Sequence, residues 1–381
     1  MRFAERTNWP REENALTLAI RRQRSLGPVL DLTVSNPTEV GLGFPGEALQ
    51  VALHSALLHP YQPEPFGLPS ARAAVSAYYR ARGLVVPPER IAIVASTSEA
   101  YLALFRLLAE PGDEVLYPVP SYPLLEFLTD LSDLKLRPYP LGLVRDRWAM
   151  DPDELAAALS PQTRAMVQVG PNNPTGSCFD PAERAAFYGI AAERGLAVIS
   201  DEVFLDYHPG TFLQHSFAQD HEALSFTLSG LSKVAALPHL KLSWLVVNGP
   251  EVLVAEAMAR LELILDASLS VATPVQAALP ELLPAAEKVQ AGLRARIAQN
   301  WGQVAPLHPL PREGGWYTLV PVPEGLDEEV LAIRLVEEQQ VLTHPGFFFD
   351  LAGGSTLVLS LIAEPAVFQT GVQRLAHLLG G

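Results

Sequence analysis

The chain has 381 residues, of which 49% are hydrophobic and 18% charged, enough to build two packed domains with a sizeable core. Its net charge of −15 and pI near 5.0 argue against nucleic acid or an anionic membrane as the main partner. Cys178 is the only cysteine, which excludes an internal disulfide and a cysteine-rich metal cluster and fits a reducing, cytoplasmic setting.

The arginine- and glutamate-rich stretch 1–14 lacks the apolar run of a secretory leader. No stretch reaches the about 18 uncharged apolar residues of a membrane span. Helical spacing over 14–26 ends at Gly27-Pro28, and Leu30 to Val34 alternates as a strand before the turn Ser35-Asn36-Pro37-Thr38. Helices are expected over 46–59 and 70–82, with Tyr61 in the loop between them. Ile91 to Ala95 reads as a strand, and Ser96-Thr97-Ser98 opens a helix to Leu108. A strand running into such a helix start is an anion site, because the first N–H groups are free and the dipole is positive there; the same residues would also cap the helix.

Asp151-Pro152-Asp153-Glu154 and Asp180-Pro181-Ala182-Glu183 are twin helix starts framing the strand 165–169. Helix and strand alternate through the middle of the chain, the pattern of a mostly parallel sheet with helices on both faces. Ligands bind such sheets beyond the carboxyl ends of the strands. Asn173, Asp201 and Lys233 each fall at or just past such an end. The remainder reads as helix from 251 to about 265, two further helices over 273–283 and 285–299, a strand from Gly314, a helix over 328–339, a strand over 356–361 and a last helix over 366–379.

Lys233 stands between two apolar runs, in Ser232-Lys233-Val234. Burial there would lower the amine's pKa and favour nucleophilic chemistry; a surface loop lysine is the plain alternative. Upstream lie Asn172-Asn173-Pro174-Thr175-Gly176 and Asp201-Glu202-Val203-Phe204. Asn173 precedes Asp201 by 28 residues, Lys233 follows 32 later, and Lys241 eight after that. This ordered set resembles the class I/II aminotransferases among the fold-type I pyridoxal-phosphate enzymes.

The resemblance implies an α/β fold: a large domain with a mostly parallel seven-stranded sheet, and a smaller α+β domain. Its divisions here would be an arm and part of the small domain at 1–45, the cofactor domain at 46–270 and the small C-terminal domain at 271–381. It implies pyridoxal 5'-phosphate as cofactor and Lys233 as its Schiff-base lysine and proton carrier. Asp201 would hold the proton on the ring nitrogen, Asn173 would donate to the ring oxygen, and Tyr122 would stack on the ring. Thr97, Ser98, Ser232 and Lys241 would hold the phosphate, joined across a homodimer interface by Tyr61. The reaction implied is amino transfer between an L-amino acid and a 2-oxo acid.

Four positions depart from that pattern. Phe204 stands where tyrosine is usual, Gly230 where a serine often binds phosphate, and Lys241 where arginine is usual. Val358 replaces the arginine that grips the substrate carboxylate, with Arg147 and His344 as candidate substitutes. Lyase or decarboxylase chemistry therefore stays open, and a non-catalytic regulatory protein binding the same cofactor is a distant alternative. A metal-dependent hydrolase is disfavoured, because the nine histidines show no ligand spacing in sequence.

Overall fold

The Asp-Pro pairs do what their chemistry dictates. Asp151 accepts from the N–H groups of Asp153 and Glu154 to start helix Pro152–Ala158. Asp180 and Glu183 form a reciprocal capping box at the head of helix Pro181–Arg194. These helices belong to a computed structural model describing residues 1–210, 212–219, 222–351 and 354–380.

Short strand β1 (Leu30–Asp31) pairs with β11 (Val341–Leu342). The main sheet contains β2 (Ile91–Val94), β3 (Glu114–Val119), β4 (Lys135–Val144), β5 (Arg147–Met150), β6 (Thr163–Val169), β7 (Ala197–Asp201), β8 (Ser225–Gly230) and β9 (Ser243–Asn248). Its order is β2-β9-β8-β7-β6-β3-β4-β5. The sheet thus has eight strands rather than the expected seven, because β4 overruns its parallel partner and folds back on β5 as a hairpin. Strands β8, β7, β6, β3 and β4 run parallel, while β9 is inserted antiparallel between β8 and β2. Two reversals leave β2 pointing the same way as β8, so its carboxyl end shares their edge.

Strand side chains alternate between two cores. Ile91, Ile93, Trp244 and Val246 face helices Pro69–Arg80, Pro181–Arg194 and Thr273–Val304. Ala92, Val94, Leu245 and Val247 face helices Thr97–Leu108, Leu124–Leu131 and Glu251–Ser268. A second sheet, ordered β10 (Tyr317–Pro321), β13 (Thr356–Ser360), β12 (His344–Pro345), packs with helices Glu328–Gln339 and Pro365–Leu378.

Two expectations fail locally. The strand from Leu30 pairs for only two residues, because its partner β11 is equally short. The two helices expected over 273–299 are one helix, Thr273–Val304, with Pro280 and Pro284 inside it. Proline in a helix interior costs roughly 3 kcal/mol. Here both prolines sit on the exposed side, while Leu279, Leu282, Leu283 and Ala286 bury the opposite side and hold the helix through the break.

Candidate active site

Three parallel strands deliver the central residues to one edge. Beyond β6 the chain turns, and Asn172 shapes the turn by donating to the Pro120 carbonyl and accepting from the Thr175 N–H and hydroxyl. Asn173 is thereby set at the sheet edge with its side-chain oxygen buried and without a hydrogen-bond partner. Asp201 ends β7, accepting from the Tyr101 hydroxyl at 3.2 Å and from the Val203 N–H. Past β8 comes the single turn Leu231–Val234, which carries Lys233.

These residues line a cavity of about 370 Å³. Thr97, Ser98, Tyr122, Asn173, Asp201, Ser232, Lys233 and Lys241 all border it, so eight of the nine residues singled out in the sequence converge. Tyr61 does not: it is 67% exposed and borders none of this space.

Lys233 Nζ lies 5.3 Å from the centroid of the Trp316 ring and 5.8 Å from that of Phe204. Burial against these rings lowers its pKa, and the charge of Asp201 only partly restores it. Burial likewise lifts Asp201 to about 6, against the hydrogen bonds and the lysine charge that favour its ionised form. Beside it, Glu202 accepts from Ser200, Ser216 and the Phe217 N–H, yet burial lifts it to about 7.

The departures have structural answers. An added Cβ at Gly230 would sit 2.2 Å from Ser243 Oγ and 2.9 Å from its Cα, so no serine fits. Ser243, the register partner of Gly230, borders the cavity and offers the hydroxyl instead. Phe204 packs edge-on against Trp316, and Tyr207 faces away from the cavity and donates to the Lys233 carbonyl at 2.6 Å. Arg147 is committed to Glu183, with Asp180 and Glu313 close by, and does not reach the cavity. His344 does reach an adjoining chamber, which it lines with Ser35, Asn173, Tyr122, Tyr317 and Phe348. It sits directly across from Val358 in the β12–β13 pairing. Sequence spacing gave no sign of Ser243 or Tyr101, which come from distant elements.

The donor set suits pyridoxal phosphate. It combines a half-buried amine, a half-buried carboxylate, an unpartnered amide oxygen at Asn173 and a helix start capped by Ser96, which accepts from Glu99. Residues 45–361 match the family described as Aminotransferase class I and II. The chain belongs to that family. Its members are pyridoxal-phosphate enzymes of fold type I. Among curated relatives of this chain, the glutamate-pyruvate aminotransferase AlaA of Escherichia coli is 31% identical over 70% of the chain, and the match spans 66% of that relative's length. The arginine–pyruvate transaminase AruH of Pseudomonas aeruginosa is 28% identical over 91% of the chain and 89% of its own. A solved aminotransferase from Escherichia coli superposes with a TM-score of 0.86 at 25% identity, covering 100% of this chain and 98% of that one.

Proposed function

We propose that this family member transfers an amino group between an L-amino acid and a 2-oxo acid. The observation that carries the reading is a half-buried Lys233 amine sharing one cavity with Asp201 and Asn173. When bound, pyridoxal phosphate supplies an aldehyde and an electron-withdrawing ring that make the substrate α-hydrogen acidic. Lys233, its basicity moderated by burial, takes that proton on Nζ. Tyr207 steadies the lysine from behind through its backbone carbonyl. Asp201, fixed by Tyr101, holds a proton against the ring nitrogen. Thr97, Ser98, Ser232 and Lys241 supply the phosphate donors, with Ser243 added.

The substrate carboxylate has no arginine at 358. His344 and Asn173, which share the adjoining chamber, are the donors we assign to it. His344→Ala should raise KM for the amino donor about tenfold and leave kcat within about twofold, the mark of lost uniform binding. An unchanged KM would remove His344 from this role.

An exposed apolar strip at Val51, Leu57, Leu58 and Tyr61 supports a homodimer in which Tyr61 serves the partner's phosphate site. The division at 1–45, 46–270 and 271–381 is part of the same reading, as is a cytoplasmic location. No helix among the described residues is long and apolar enough to cross a membrane.

AlaA and AruH are transaminases by name, which favours transfer over lyase, decarboxylase or regulatory roles. Both names contain pyruvate, so alanine is the first donor to test. The experiment is a visible absorption spectrum with added cofactor, then single amino acids without any oxo acid. One amino acid should abolish the band while releasing one equivalent of its oxo acid. A band that no amino acid alters would reject transfer, and no band would reject the cofactor.

A further inference from the structure

A second cluster lies outside the cofactor cavity. Cys178, His208 and His215 come from three different segments, yet their ligand atoms lie within 4.8 Å of one another. Cys178 is buried, and its backbone is pinned on both sides: its N–H donates to Glu313 and its carbonyl accepts from Arg147. The two imidazole rings are 4.0 Å apart, centroid to centroid. His215 places Nδ1 3.4 Å from the Phe179 carbonyl, the orienting contact usual for a metal-ligating imidazole, and this leaves Nε2 as the ligand. His208 Nδ1 accepts from the Gly210 N–H at 2.9 Å, which puts the neutral ring's proton on Nε2, and ligation through Nδ1 displaces that contact.

The space between these atoms stays open because residue 210 has no side chain. A Cβ there would lie 2.9 Å from His208 Nδ1 and 3.2 Å from His215 Nε2. The electrostatics are mixed but lean negative at the sulfur, where Glu313, Glu202 and Glu183 act against Arg147. Arg312 adds an opposing positive charge near His208.

We propose that Cys178, His208 and His215 form a binding site for a borderline-soft divalent cation of the zinc class. One thiolate and two imidazoles suit zinc and exclude magnesium and calcium, which take oxygen ligands. Zinc bonds of about 2.0–2.3 Å set tetrahedral ligands roughly 3.5 Å apart, so binding draws the three atoms together by about an ångström. The thiol proton passes to solvent as the sulfur–metal bond forms. Three protein ligands leave the fourth position to water.

The ion would tie together two segments that serve the cofactor cavity. Cys178 lies five residues past Asn173, and His208 follows Tyr207, which holds the Lys233 carbonyl. The proposal stands apart from the transfer reaction and survives its failure.

The test is a zinc titration of the cofactor-loaded protein against a chromophoric chelator, repeated on Cys178→Ser and His215→Gln. We expect one zinc per chain after dialysis for the natural protein, with that binding lost in both variants while the visible cofactor band is retained. Less than one equivalent in the natural protein, or undiminished binding in either variant, overturns the site. Should the variants lose their fold, cobalt decides on the natural protein. A near-ultraviolet thiolate-to-cobalt band supports the site, and its absence rejects it.

Discussion

Lys233 and Gly230 give the sharpest expectations at the residue scale. Lys233→Ala should leave no covalent cofactor after borohydride reduction, read as the protein's mass, whereas the natural chain should gain one cofactor at position 233. A stable adduct on the variant would contradict the assignment. Gly230→Ser should destabilise by about 1–3 kcal/mol, because the added atoms meet Ser243 backbone as well as side chain; the check is a denaturant midpoint. Lys233, Asp201 and Asn173 were legible as an ordered set: their motifs and spacing resemble the family's, and each falls at or just past a strand end, whereas Lys233 alone reads equally as a loop lysine. Ser243 was not, since its value depends on a register pairing with Gly230 that only the folded sheet reveals. The Cys178 cluster was hidden for the same reason. Its histidines are 30 and 37 residues from the cysteine and meet it only in the folded chain.

Among the elements, helix Pro69–Arg80 is tied to the turn Leu205–Tyr207 through one carboxylate. Asp206 accepts from the Tyr78 hydroxyl at 2.7 Å and from Arg82, both largely out of solvent. Breaking a buried pair by removing one partner costs roughly 3–5 kcal/mol, since the other charge is stranded. Asp206→Ala should lose stability on that scale, seen by thermal or urea unfolding. A change under about 1 kcal/mol would mean that Arg82 finds water instead. Local signals read element starts well: the Asp-Pro caps, Asn14 before helix Ala15–Leu26, and the exact span Glu328–Gln339. They misread what tertiary packing overrides, namely Pro284 taken as a break in helix Thr273–Val304, and they miss the β4–β5 hairpin, whose pairing is set by contact rather than by periodicity.

For the molecule as a whole, buried carboxylates set a pH dependence. Glu202 is lifted from 4.5 to about 7, so the folded state keeps a proton that the unfolded chain has shed. Stability of the cofactor-free protein should therefore be highest below pH 4.5 as far as this group is concerned, fall through the interval up to about 7, and level off above it, a loss of roughly 3 kcal/mol. Asp201, lifted from 3.8 to about 6, acts in the same direction. Glu202→Gln should flatten that slope, measured as urea midpoints across the interval; an unchanged slope would place the effect elsewhere. The fold class was legible from alternating helix and strand, whereas the path of the longest helix was not. That helix runs 32 residues, about 48 Å. Near its middle Gln290 donates to the Val234 carbonyl beside Lys233, and nearer its end Asn300 donates to the Leu361 and Ala363 carbonyls beyond β13. Gln290 and Asn300 both lie on the C-terminal side of Pro280 and Pro284, on a stretch of helix that no proline interrupts. Load applied at the far sheet therefore has a direct path along this stretch to the backbone next to the reactive amine.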